Sequence, residues 1–312
     1  MVIKSGLKNP LPPIIPIITI LSLKSPISQT FSIKSLINPK YLIFFIEILT
    51  LNSPKLVFFQ NKVYNLVSME DKIAQLQKLI DESSNIVFFG GAGVSTESGI
   101  PDFRSVDGLY HQKWDYAPEE ILSGSFFFNN TKEFYRFYRE KLLISGIKPN
   151  AAHLKLAELE RKGKLSGIVT QNIDGLHQEA GNKKVFELHG SVLRNFCTKC
   201  HEFHDLEYVS THADEDGIPR CSKCGAIIKP DVVLYGEGLD DNVVSGALNA
   251  LENADLLIIG GTSLTVYPAA GMIRYYNGKH IVLINRDETA SDGVADLVIH
   301  DSIGKVLSQI NV

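Results

Sequence analysis

Four residues of one type stand at a spacing that only a metal explains well. Cys197, Cys200, Cys221 and Cys224 are the only cysteines, arranged as C-x2-C-x20-C-x2-C. Each C-x2-C can present two thiolates to one ion, and two such knuckles complete a tetrahedral zinc site. Sulfur fills all four positions, so no place is left for a reacting water. The expected Zn2+ is therefore single and structural. His201 and His204 lie beside the cluster as rival ligands; the plainer expectation for both is surface histidine. A zinc ribbon alone does not separate a nucleic-acid binder from an enzyme.

A second stretch, "GGAGVSTESGIPDFRS" at 90–105, follows the apolar run "NIVFFG". Gly91-Ala92-Gly93 at the end of a strand lets backbone approach a pyrophosphate. A hydride-transfer fingerprint needs a third glycine where Thr96 stands. Pro101 stops a regular helix from running through. The loop then brings Asp102, Phe103 and Arg104 close to the phosphate turn. That set suits gripping a nicotinamide and its ribose better than passing a hydride.

These residues need elements to hold them. From Met69, "MEDKIAQLQKLIDESSN" places Ile73, Leu76, Leu79 and Ile80 on one helical face. Short apolar strands are expected in "NIVFFG", "LSGIVTQN" (165–172), "DLLIIGG" (255–261), "HIVLINR" (280–286) and "ADLVIHD" (295–301). Helical stretches such as "AAHLKLAELERKG" (151–163) lie between several of them. Continuous apolar strands alternating with helices predict a parallel sheet covered on both faces.

Residues 1–68 differ in kind. They hold seven Lys, no Arg, one acid (Glu47) and seven of the 13 Pro. They read as an appendage outside the folded domain, with Met69 as an alternative start, and their apolar runs are too short for a membrane span. The rest carries 24 basic and 34 acidic residues. An acidic body argues against nucleic acid as a direct ligand and attracts cationic peptides. So few cysteines in a chain of 312 residues favour a reducing, cytoplasmic compartment.

"GAGVSTESGIPDFR" (91–104), "TQNIDGLH" (170–177), "ELHGS" (187–191), the paired C-x2-C, "KPDVVLYGE" (229–237) and "GGTSLTVYPAA" (260–270) together resemble the sirtuin family, bacterial type, from about Met69 to Val312. The resemblance implies an NAD-dependent protein-lysine deacetylase that releases nicotinamide and O-acetyl-ADP-ribose. It implies an α/β fold: a Rossmann-like parallel sheet (69–104, 150–190, 230–312), a helical cofactor-loop module (105–149) and a zinc ribbon (191–229). His189 is then the general base, with Asn172 and Asp174 as catalytic partners. Gly91, Ala92, Gly93, Ser95, Ile100, Asp102, Phe103, Arg104 and Gln171 would bind NAD, and Asn172 and Asp174 would share in that. Gly261, Thr262, Ser263, Asn285 and Ile303 would serve its other phosphate, ribose and adenine.

The resemblance also implies acetyl-lysine protein or peptide substrates threaded as an extended strand. Val232, Tyr235, Gly236 and Glu237 would line one side, Leu264 and Val266 the other. Many members have Phe where Tyr235 stands. Members that prefer acidic acyl groups carry Tyr-x-x-Arg after the cofactor loop. Here "EFYRFYRE" gives Tyr135 and Tyr138, so a neutral acyl group is expected. The alternatives are ADP-ribosyl transfer to protein, removal of longer neutral acyl groups, or a non-catalytic NAD-and-zinc module.

Overall fold

Each strand of the main sheet sends alternate side chains into two different cores. The computed structural model describes residues 54–312 except 104–107 and 145, with side chains from 68 onward. Arg104 and most of the expected appendage therefore lie outside the described residues. Nine strands are described: β1 (Ile86–Gly90), β2 (Leu165–Thr170), β3 (Val185–Glu187), β4 (Gly190–Cys197), β5 (Phe203–Asp205), β6 (Ile228–Val232), β7 (Leu256–Gly260), β8 (His280–Asn285) and β9 (Leu297–His300). Six of them form a parallel sheet in the order β3-β2-β1-β7-β8-β9.

Helix α1 (Pro54–Glu82), through its residues from Met69 onward, and helices α2 (Ala151–Arg161), α3 (Asp241–Asn253) and α4 (Ile303–Leu307) cover this sheet. Ile86, Phe88, Leu256 and Ile258 pack with Leu76 and Ile80 of α1, Leu156 of α2 and Val306 of α4. Val87, Phe89, Leu257 and Ile259 pack the other way, with Ala247 and Leu251 of α3. A side-chain period of two makes both faces apolar, which is why these strands read as continuous hydrophobic runs. The ends of the helices are set locally. The Asn150 side chain accepts from Ala152 N at 2.9 Å, and Asp240 accepts from Asn242 N and Val243 N at 2.9 and 3.0 Å. Helix α1 begins well before the Met69 suggested by periodicity.

The chain leaves this sheet twice. Between β1 and β2 it makes short helices at Pro118–Ile121, Gly124–Asn129 and Thr131–Phe137. Between β3 and α3 it makes the antiparallel sheet β5-β4-β6 and the four-cysteine ribbon. The two excursions share one core, in which Phe127, Phe134, Tyr135 and Tyr138 meet Cys197, Cys221, Ile228 and Val232. The expected helical module and zinc ribbon are thus packed as a single body.

Beneath the main sheet, His153 of α2 and His177 pack ring to ring at 4.7 Å, almost wholly out of solvent. His153 Nδ1 accepts from Asn150 N at 3.2 Å. Nε2 of His153 and both ring nitrogens of His177 have no protein partner. Burial pulls His153 down to about 4 against an opposing pull from Asp174, and burial with the neighbouring His153 takes His177 to about 3. The fold therefore holds both neutral. Their stability contribution is complete above the unfolded value of 6.5 and is lost as pH falls towards the folded values. Thermal melts should lose on the order of 2 kcal/mol per histidine between pH 7 and pH 5. Replacing His177 with Asn should flatten that slope, and equal slopes in both proteins would contradict the assignment.

Candidate active site

The parallel order reverses direction between β1 and β7, and open α/β sheets bind ligands at such a point. Here the turns after these two strands interlock. Gly93 N donates to Gly261 O at 2.8 Å, and Gly91 N donates to Gly260 O at 3.2 Å. A Cβ on Gly93 would sit 2.8 Å from Gly261 Cα, and one on Gly91 2.8 Å from Thr262 Cβ. Gly261 has φ +61°, in the left-handed region. The glycines are thus required by turn-on-turn packing before any ligand is considered. That packing leaves backbone at the floor of a cleft of about 780 Å³.

Polar side chains from β2 and its following turn join this floor. Ser95 donates to Asp174 Oδ2 at 2.7 Å and accepts from Asn172 Nδ2 at 3.0 Å. Asp174 Oδ1 accepts from Leu176 N at 2.9 Å, an Asx-turn bond that leads the chain into the short helix at 176–179. Gln171 Nε2 donates to Thr262 Oγ1 at 3.0 Å, joining the two sides of the switch point. Ala92 and Ser263 line the same cleft. Ile100, Asp102 and Phe103 line it too, although the Ile100 N–H is already given to Ser95 O at 3.2 Å.

His189 follows β3 and is half-buried at the cleft wall. Its Nδ1 is 3.0 Å from the carbonyl oxygen of Gln171. Burial lowers its pKa against the opposing pull of that hydrogen bond. Gly190 has φ +76° and its α-carbon lies against the Asp231 backbone, which allows β4 and β6 to close beside His189.

Several expected residues do something other than touch a ligand. Asn285 uses both ends of its amide on the 262 turn, accepting from Thr262 N and donating to Thr262 O, each at 3.0 Å. Its side chain fixes a turn that borders the cleft. Ile303 is buried at the start of α4 and reaches the cleft edge. Glu237 accepts from Lys229 Nζ at 3.0 Å and Leu234 N at 2.9 Å, closing its own turn at Gly236 (φ +89°). Val232 pairs with Gly190 in the β4–β6 ladder and is buried in the small-module core. Its neighbour Val233 is half-buried and donates its N–H to His189 O at 3.0 Å. Leu264 is buried with φ +53°, and Val266 is half-buried on the opposite wall. Tyr135 donates to Ile228 O and Tyr138 is fully buried, so neither borders the cleft.

Two contributions escaped sequence reasoning. Val233 was legible, because strand alternation places it opposite Val232. Arg194 was not: its Nη1 meets Glu187 at 2.6 Å and its Nε meets Asp231 at 2.8 Å, tying β3 and β6 together on either side of His189.

The four cysteines converge as expected. Sγ separations of 3.4 Å (Cys197–Cys224), 3.6 Å (Cys200–Cys221) and 3.5 Å (Cys200–Cys224) fit the edges of a tetrahedron with Zn–S of ~2.3 Å. Lys199 N and Cys200 N each donate to Cys197 Sγ at 3.4 Å, which shapes the first knuckle. His201 is exposed, whereas His204 is buried against the Tyr208 ring at 4.4 Å, so the surface expectation fails for it. Neither joins the cluster.

The sequence profile of the Sir2 family matches residues 91–268. A curated NAD-dependent protein deacetylase of Clostridium perfringens is 60% identical over 245 residues, 78% of this chain and 99% of that protein. Another of that name, from Clostridium acetobutylicum, is 60% identical over 242 residues, covering 77% and 98%. Among solved structures, a Sir2 complex with p53 peptide and NAD+ is similar at TM-score 0.67 and 38% identity, covering 75% of this chain and 94% of that one. A Sir2 variant with deacetylated p53 peptide and 3'-O-acetyl ADP-ribose gives TM-score 0.71 and 37% identity, covering 76% and 96%.

Elemental analysis should find one zinc per chain. Cys200→Ser, or stripping with a strong chelator, should remove it and destabilise the small module by several kcal/mol, below the ~10 kcal/mol of isolated zinc fingers because a shared apolar core remains. A metal-free protein with unchanged melting would contradict the structural role.

Proposed function

The chain belongs to the Sir2 family, and from that membership and the cleft we infer its reaction: it is an NAD-dependent protein deacetylase. Its substrates are acetyl-lysine side chains of proteins or peptides. NAD supplies the acyl acceptor, so the products are free lysine, nicotinamide and O-acetyl-ADP-ribose, with no redox change.

The geometry of His189 is the observation that carries this reading. A carbonyl oxygen only accepts, so the contact with Gln171 O puts the imidazole proton on Nδ1. Nε2 then keeps its lone pair. Burial lowers the pKa, so this nitrogen is unprotonated at neutral pH and can take a proton from a ribose hydroxyl. Asn172 and Asp174 are held in place through Ser95, and in this reading they orient the reacting sugar and the nicotinamide end. The interlocked turns at Gly91–Gly93 and Gly261–Ser263 offer backbone to the phosphates, and Phe103 covers the sugar face.

In this reading the peptide lies as a strand between Val233–Gly236 and Val266, which line facing parts of the cleft, while Leu264 packs in the core behind Val266. Leu142, Leu143, Ile144 and Ile147 line the same cleft, and they favour longer neutral acyl groups as a second activity. Residues 69–312 carry the reaction. Among the described residues no helix is long and apolar enough to cross a membrane. Four cysteines gathered as one zinc-ligand set and not paired as disulfides suit a reducing cytoplasm. The acidic balance beyond residue 68 makes nucleic acid an unsuited ligand.

Mass spectrometry after incubation with NAD and an acetyl-lysine peptide should find deacetylated peptide, nicotinamide and O-acetyl-ADP-ribose in equal amounts. His189→Ala should lower the rate by about 10²- to 10⁴-fold. The acid limb of kcat/KM should have its midpoint below the ~6.5 of free histidine, because only the neutral base is active. A peptide that keeps its acetyl group, or a variant as fast as wild type, would overturn the assignment.

A further inference from the structure

Tyr110 and Tyr235 reach each other across the rim of the cleft, with hydroxyl oxygens 3.2 Å apart. They come from different parts of the site. Tyr110 belongs to the cofactor side: its N–H donates to Phe103 O at 2.9 Å, and its ring packs on Phe103 with centroids 6.1 Å apart. Tyr235 belongs to the peptide side. Its backbone is clamped, donating to Leu122 O at 2.9 Å and accepting from Gly124 N at 3.0 Å.

Burial first, then the contact with Tyr235 and the nearby Glu119 carboxylate, hold the Tyr110 phenol well above the usual tyrosine range, so it keeps its proton. Either hydroxyl can donate in the Tyr110–Tyr235 pair. A phenylalanine at 235 would remove this hydrogen bond and leave the rings in place.

We propose that the Tyr235–Tyr110 hydrogen bond couples the two substrates of the deacetylase, transmitting occupancy of the peptide groove to Phe103 over the cofactor side. The inference rests on the reading under Proposed function. Tyr235 is 40% exposed in the open cleft, so its hydroxyl competes with water there. A peptide along Val233–Gly236 excludes that water and fixes the ring. The hydrogen bond is then worth more, because its surroundings are drier. Tyr110 is held more firmly, and so is the Phe103 ring packed on it. A contact stronger in one state than in the other is what a coupling free energy requires. By linkage, the cofactor must strengthen peptide binding by the same factor.

Calorimetry tests this with ADP-ribose, which has no nicotinamide to lose and so permits no turnover. The Kd for ADP-ribose is measured with and without saturating acetyl-lysine peptide. In wild type the peptide should tighten ADP-ribose binding. In Tyr235→Phe and Tyr110→Phe, which keep both rings, that enhancement should shrink by about 2- to 10-fold, the range of one hydrogen bond. The double variant should lose no more than either single one. Weaker ADP-ribose binding with an unchanged enhancement would mark a merely structural role and overturn the coupling. So would single losses that add in the double variant. Wild type that deacetylates but shows no enhancement would overturn the coupling alone. Wild type that leaves the acetyl group in place would overturn the deacetylase reading.

Discussion

The interlock of two glycine turns at the switch point is the constraint on which the rest of the site depends. β1 and β7 run side by side, and their following turns have nowhere to go but against each other. With Gly261 Cα 2.8 Å from where a Gly93 Cβ would be, any side chain would force the turns apart. Separation would break the Gly93–Gly261 hydrogen bond and shift Thr262. Thr262 accepts from Gln171 and is gripped by Asn285, so β2 and β8 would lose their registration at the cleft as well. Gln171 also sets the tautomer of His189 through its carbonyl. His189 is thus two contacts away from Thr262, the neighbour of these glycines.

This explains why so many motif residues turn out to hold one another. Buried polar groups must find partners, and in a cleft floor built from strand ends the nearest partners are other motif residues. Ser95, Asn172 and Asp174 satisfy each other, and Asn285 spends its whole amide on Thr262. Such residues act by placing backbone and ring atoms. A sequence motif marks them without saying whether they touch the ligand.

What was legible follows the same division. β1, β2, β7 and β8 were visible because both of their faces are largely buried, which leaves an unbroken apolar run in the text, and β9 at the sheet edge still shows Leu297 and Ile299 turned into the core. β3 was not, since it is three residues long and ends in Glu187, whose charge is met by an arginine seven positions later. The cysteine site was legible because ligand spacing is local. The partners that Asn285 and Glu237 hold within the chain were not legible, because hydrogen bonds across the fold leave no spacing to read. Val232 and Val233 both border the cleft. A motif gives the strand, and only the phase of its alternation gives the face each residue turns. His204 reads as a surface residue but is buried, because its ring packs on Tyr208 within the small module.

That shared core has a consequence for the cleft. The Rossmann-like sheet supplies its floor, while the peptide wall around Tyr235 hangs from the small module through Leu122 and Gly124. Val232, buried in the small module, is adjacent in sequence to Val233, whose N–H meets the His189 carbonyl. Arg194 fastens the same junction from β4, with Glu187 on one side and Asp231 on the other. The packing of the cysteine ribbon is therefore transmitted to His189 through the wall formed by β4 and β6, so a structural ion in the ribbon would act on the cleft by fixing that wall.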